Sequence, residues 1–257
     1  MTNRLSHVMV EPVGARSPHT EKENLAMTRL SFTRLLSLPA VAGLAAGAML
    51  VAGPAAPGPV FTAHTWGGPH TNAGNWAGYV ANGGTYTKVT GTWKEPVANC
   101  TAKHDLYAPW LGLDGYGDQT VEQTGVQTSC SSGKPVDSGW YEMYPAPPRY
   151  YSNPVSTGDT IKATVVFSGG SSYSLTLQDV TKGWSHTVHK NLSAHNASAE
   201  AIIEAPGGFP GLPNGVTFSN VTVDGKTLSS FAPTRLTATG GWRPGTLHGG
   251  TFTIKHT

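Results

Sequence analysis

The chain has 257 residues, and Asp, Glu, Lys and Arg make up only 12% of it, about half the ~25% usual for globular proteins. That sparing charge excludes a coiled coil or helical bundle, while seven Trp, nine Tyr and seven Phe supply more core material than a disordered chain carries. A net charge of +2 gives no electrostatic case for nucleic acid, so what remains is a Gly-, Ser- and Thr-rich globular protein of short strands and turns.

Residues 1–26 are polar and carry Glu11, Glu21 and Glu23, which do not suit the start of an export signal. They read as a dubious N-terminal extension, with Met27 as an alternative start. Residues 27–56 fit a secretory signal peptide: Arg29 and Arg34, then an uncharged apolar run from Leu35 to Val51, then small residues at Ala52–Ala56. Five of the 17 basic and three of the 15 acidic residues precede residue 57, which leaves 12 of each in the expected mature chain. Residues 57–74 are rich in Pro, Gly, Thr and His and read as a flexible lead-in.

From residue 75 to 257 the pattern becomes short and alternating. Strands are expected at 75–81, 86–96, 106–115, 120–128, 139–145, 159–169, 172–181, 185–192, 199–205, 215–225 and 247–256, separated by Gly, Pro, Asn and Asp. No mature segment carries a 3.6-residue apolar period over ten or more residues. The expected fold class is therefore all-β: one antiparallel β-sandwich with little helix outside the signal segment. Cys100 and Cys130 are the two cysteines of the chain. In an exported protein they read most simply as one disulfide, with free buried thiols as the alternative.

Side chains alternate faces along a strand. Glu200, Ile202 and Glu204 therefore share a face, as do Trp140, Glu142 and Tyr144, and Trp110, Gly112 and Asp114, and Val121, Gln123 and Gly125. Three of these strands put acids on one side and aliphatics on the other. A face of Trp, Tyr, Glu, Asp and Gln makes a polar and aromatic groove, whereas plain solvated faces favour Lys, Thr and Ser.

Five motifs in order carry a resemblance. They are Asn75-Trp76-x-Gly78, Trp110-Leu111-Gly112-Leu113-Asp114-Gly115, Glu122-Gln123-Thr124-Gly125-Val126, Trp140-Tyr141-Glu142-Met143-Tyr144-Pro145 and Ala199-Glu200-Ala201-Ile202-Ile203-Glu204. Together they resemble the glutamic peptidases, the eqolisin family of secreted acid endopeptidases. The resemblance implies a sandwich of two large antiparallel sheets with a catalytic Gln–Glu pair on a concave face, here Gln123 and Glu204. It places Trp76, Trp110, Asp114, Trp140, Glu142 and Glu200 around that pair, as substrate-binding or supporting residues. The expected mature chain is balanced in charge, whereas fungal members of the family are strongly acidic, and it departs from the family pattern in three further ways. Ala201 stands where an aromatic is usual, Glu122 stands where an apolar residue is usual, and the interval from Trp110 to Gln123 is about one residue short.

Such a pair suits peptide hydrolysis. A carboxylate can take a proton from water and return it to the leaving amine, and an amide NH₂ can donate to the developing oxyanion. The expected partners are polypeptide substrates, with no cofactor, no metal and no nucleic acid. The expected state is a secreted monomer with no stable membrane association once the signal is cleaved. Two other readings stay open: a non-catalytic carbohydrate-binding sandwich using Trp110 and Trp140, and a glycosidase pairing Glu142 with Glu204. Asp137-Ser138-Gly139 is a single aspartic-peptidase-like triplet where two are needed. His186 and His189, three apart in a strand, point to opposite faces and do not form a metal pair.

Overall fold

The computed structural model describes residues 74–257. The expected extension, signal peptide and all but the last residue of the lead-in lie outside the described residues. Within them the chain folds into two antiparallel sheets. The strands are β1 (Trp76–Asn82), β2 (Lys88–Lys94), β3 (Leu106–Leu113), β4 (Val121–Ser129), β5 (Val136–Tyr144), β6 (Arg149–Pro154), β7 (Thr160–Gly169) and β8 (Ser172–Asp179). They continue with β9 (Trp184–Asn191), β10 (Ser198–Gly208), β11 (Val216–Val223), β12 (Lys226–Thr227), β13 (Thr234–Leu236), β14 (Trp242–Pro244) and β15 (Phe252–His256). One 3-10 turn, Leu228–Phe231, is the helix among the described residues.

The first sheet has the order β13-β1-β10-β3-β4-β5-β6 and the second β14-β15-β11-β2-β7-β8-β9, with β12 paired to β11. Each of the eleven expected segments contains a strand, although in 247–256 only Phe252–His256 forms it. The expected β-sandwich is the observed architecture.

The second sheet shows the alternation of a one-sided sheet. In β8 the inward residues Tyr173, Leu175, Leu177 and Asp179 are buried while their neighbours are not. The main core lies between the sheets and includes Trp93, Tyr107, Leu111, Leu113, Ile161 and Phe218.

The first sheet behaves differently. Its central strands β3, β4 and β10 are buried at nearly every position, on both faces. Ala199, Ala201 and Ile203 face the main core, and Ile202 belongs to a second cluster on the outer face with Trp76, Val80, Ala108, Trp110, Val121 and Trp140. That second aromatic cluster sits where the sequence predicts a groove.

The disulfide joins Cys100 to Cys130 across a separation of 30 residues. It ties the segment before β3 to the end of β4.

Candidate active site

Pairing across the first sheet sets the outer-face residues in rows. One row runs Val80, Glu200, Gly112, Gln123, Glu142. The next holds Gly78, Ile202, Trp110, Gly125 and Trp140, and the one beyond holds Trp76, Glu204 and Ala108. Gln123 and Glu204 thus stand two rows apart and two strands apart.

A flat sheet would separate Trp76 from Val121 by roughly 24 Å, being six residues and three strands away. Instead a Cβ at Gly115 would lie 3.0 Å from the Trp76 indole and 2.8 Å from a Val121 methyl. The sheet therefore closes along that diagonal, making the outer face concave in this direction. Glu204, Trp110 and Gln123 lie on the parallel diagonal. The Trp76 and Trp110 rings meet edge to face at 4.8 Å along the fold line.

Glycines make this packing possible. A Cβ at Gly125 would come within 2.3 Å of the Pro109 carbonyl oxygen and 2.7 Å of the Trp110 Cβ, and one at Gly112 within 3.0 Å of the Trp110 ring. The Trp110 ring takes the space a side chain at 112 would need, and the Trp110 Cβ and backbone take that at 125.

The polar groups are held individually. The Gln123 Nε2 donates to Glu142 Oε2 at 2.8 Å, while Gln123 Oε1 is buried without a protein hydrogen-bond partner among the described residues. The Glu142 carboxyl accepts from the NH₂ end of the Gln123 amide, which orients the amide. The Asn75 Nδ2 donates to Glu204 Oε1 at 3.1 Å, and the Ala205 N–H to the Asn75 carbonyl at 3.1 Å. Asn75 belongs to the first motif, but only the fold shows what it touches. Gln127, in line with Ala108 across the sheet, accepts from the Tyr150 hydroxyl at 2.6 Å. No motif singled out that pair.

Glu200 is fully buried, and burial pushes its carboxyl well above the usual range, with Asp114 and Glu122 nearby adding to the rise. It is therefore a neutral acid at mildly acidic pH. Glu122 faces the core between the sheets, opposite Leu113 and Met143. Burial, then the neighbouring Asp114, pushes its carboxyl up to about 9.

Asp114 corrects the alternation expected from the sequence. Its φ is 61°, so alternation ends at Leu113 and Asp114 turns away from the groove. Its carboxylate accepts the Asn196 N–H at 2.7 Å and the Ala197 N–H at 2.6 Å, clamping the loop that leads into β10. The other residues expected around the pair, Trp76, Trp110, Trp140, Glu142 and Glu200, are all on the outer face and buried.

Asp137, Ser138 and Gly139 lie within β5 rather than in a catalytic loop. His186 stacks on Tyr151 at 4.8 Å, and His189 meets the Ser174 hydroxyl, so the two histidines have separate surroundings.

Comparison with known proteins agrees with this architecture. A stretch of 101 residues is 37% identical to aspergillopepsin-2 of Aspergillus niger, covering 37% of this chain and 36% of that protein; the match spans about a third of the relative's length. The fold is similar to scytalido-glutamic peptidase solved with a transition-state analogue inhibitor, with a TM-score of 0.63 and 22% identity over 72% of this chain and 98% of that one. It is also similar to SCP-B, an eqolisin solved with the tripeptide Ala-Ile-His, with a TM-score of 0.60 and 22% identity over the same shares. The profile of the Peptidase A4 family matches residues 74–240, the span that contains both polar clusters and every strand of the concave face, and the chain belongs to that family of glutamic peptidases.

Proposed function

We propose that this chain is a secreted acid endopeptidase in which Glu204 activates water and Gln123 stabilises the oxyanion. The observation that carries this reading is that two held groups lie on one diagonal of the outer face: Gln123 bonded to Glu142, and Glu204 bonded to Asn75.

The Asn75 amide holds Glu204 Oε1 in place, which orients the carboxyl. The carboxylate takes a proton from the attacking water and later gives it to the leaving amine. One hydrogen of the Gln123 amide is held by Glu142, and the other is directed to the carbonyl oxygen that becomes negative. Trp76 and Trp110 exclude bulk water beside the reacting groups, which strengthens that interaction.

Glu200 is a second carboxyl near Gln123, in the same row with only Gly112 between. Its full burial and raised pKa make it a poor base under acid conditions. Glu204, less buried and oriented by the Asn75 amide, is the better one. The disulfide fits an oxidising compartment and so supports secretion. Among the described residues no helix is long and apolar enough to cross a membrane.

The test is casein digestion at about pH 2–5 by wild type, Gln123→Ala and Glu204→Gln proteins. Glu204→Gln abolishes turnover and leaves the fold. Gln123→Ala lowers kcat by roughly 10²–10³, the usual effect of removing an oxyanion donor. Full activity in Glu204→Gln overturns the assignment.

A further inference from the structure

The charges of this chain are segregated by depth. Residues 74–257 carry twelve Lys and Arg and twelve Asp and Glu. Every one of those cations reaches the surface. Among the twelve acids, Asp224 is exposed and Asp137 half-buried, and the other ten are buried. A balanced sequence thus folds into a domain with a cationic outside, where surfaces ordinarily intersperse the two signs.

The excess is greatest at one edge of the sandwich. Residues 225–257 hold Lys226, Arg235, Arg243 and Lys255, with His248 and His256, and no acid. They form β12 to β15; β13 is the edge of the first sheet, and β14, beside β15, is the edge of the second. Trp242, Ile254 and Phe252 face the core, so alternation turns Arg243 and Lys255 to the outside. These two stand directly opposite each other in the β14–β15 pairing, where like charges repel. From the first sheet the Arg235 guanidinium reaches across and donates to the carbonyl oxygen of Pro244, beside Arg243.

The three cations line one cavity of about 310 Å³, together with Thr253 and Gly245. Among the described residues the ion pairs are those of Lys182 and His195, so no carboxylate side chain neutralises these three. An anion in the cavity would relieve their repulsion and accept charge-assisted hydrogen bonds from Arg and Lys.

The chemistry of the anion follows from the surroundings. In acid, carboxyls of the ordinary range, about 3.9–4.3, lose their charge, whereas sulfate and phosphate esters keep theirs. No aromatic side chain lines the cavity, so a nucleic-acid base would have no ring to stack on. The acid-free stretch covers the edges of both sheets, which favours a partner with repeated charges over a single ion.

We propose that this edge binds a polysaccharide bearing sulfate or phosphate esters, with one ester group seated among Arg235, Arg243 and Lys255. The site uses neither Gln123 nor Glu204, and Arg243 and Lys255 lie on the outer face of the second sheet. It holds the domain on such a polymer and leaves the groove of the first sheet open.

The test is binding of dextran sulfate to the folded chain at about pH 3, where ordinary carboxylates are largely neutral, read by titration calorimetry over a range of salt. Wild type binds, and its affinity falls with salt because each contact releases counterions from the polymer. Arg243→Gln with Lys255→Gln lowers the affinity by about 10-fold and the log–log salt slope by about two, one for each lost contact. Lys134→Gln with Lys162→Gln removes the same charge at exposed positions elsewhere and leaves the affinity within about twofold, as screening of distant charges requires. Lys255→Gln alone lowers the slope by about one and keeps the test decisive where the double variant fails to fold.

Equal losses in the two double variants mean a diffuse field and overturn the site. Absence of binding by wild type overturns it too. So does displacement of the polymer by free sulfate at equal sulfate concentration, tighter binding to single-stranded DNA, or binding only to vesicles of anionic lipid.

Discussion

Asp114 and Glu200 show how far residue identity alone can be taken. Both were expected on one face with Glu204. Glu200 is there, while Asp114 takes a left-handed backbone conformation and binds two backbone N–H groups of the loop before β10. Replacing it by Ala leaves those buried donors without an acceptor, and such groups cost about 1–3 kcal/mol each when orphaned. Asp114→Ala is therefore expected to lose roughly 2–6 kcal/mol of stability, read as a lower urea midpoint. Glu200 separates a buried neutral acid from a base. Glu200→Gln keeps a neutral group of the same shape and retains measurable turnover, whereas Glu204→Gln removes a general base worth roughly 10²–10⁴-fold or more. Equal losses in the two variants, measured on one peptide at one acidic pH, would reverse the roles assigned to them.

At the level of elements, the eleven strands were legible because each long strand carries its own alternation or apolar run between turn residues. The strands not anticipated are β6, β12, β13 and β14, and they are short. β6 includes Arg149 and ends at Pro154, and β13 and β14 have three residues each. Such segments carry too few residues for a period and become strands only because a neighbouring strand presents free backbone groups. Gly125 is a different case: strand geometry alone gives no reason for a glycine in the middle of β4, and the reason is the Trp110 side chain and the Pro109 carbonyl above it. Gly125→Ala should cost about 1–3 kcal/mol, as overpacking of a filled core does. It should also lower activity by shifting Trp110; a thermal melt and a peptide assay on the same sample read both. The disulfide acts between elements. Its loop of 30 residues corresponds to about 3.6 kcal/mol in the chain-entropy picture. Cys100→Ala with Cys130→Ala is expected to lose that much by denaturant titration.

Among the described residues the carboxyls divide into two groups. Burial raises the carboxyls of Glu95, Glu122 and Glu200, while hydrogen bonds and nearby cations lower those of Asp105 and Asp159, and hydrogen bonds with His195 at hand lower that of Asp118. The two groups act in opposite directions. A raised carboxyl stays protonated in the folded chain after the unfolded chain has released its proton. Its contribution is complete below the ordinary range and is lost as pH rises, for Glu122 from about 4.5 up to about 9. A lowered carboxyl contributes above the ordinary range near 3.8 and is lost as pH falls below it. Stability should therefore peak near pH 4 and fall toward neutral pH, with each raised carboxyl adding up to about 1.4 kcal/mol per pH unit to the slope. Glu122→Gln should flatten that fall between about pH 5 and 8; a Tm profile unchanged by the substitution would show that Glu122 does not drive it.

Composition, alternation and five ordered motifs determined the class of fold, the strands that carry the acids and the cysteine pair, because these depend on local periodicity and on residue types that few chemistries use. They did not determine which acids share a site. The tertiary structure shows the closing of the first sheet along one diagonal, a reversal of φ at Asp114 that no alternation foresees, and Asn75 reaching Glu204 across 129 positions of sequence, and on these the proposed site rests. Side-chain direction is local, but convergence is set by sheet curvature and by the loops that fold back over it, and both arise only when the whole chain packs.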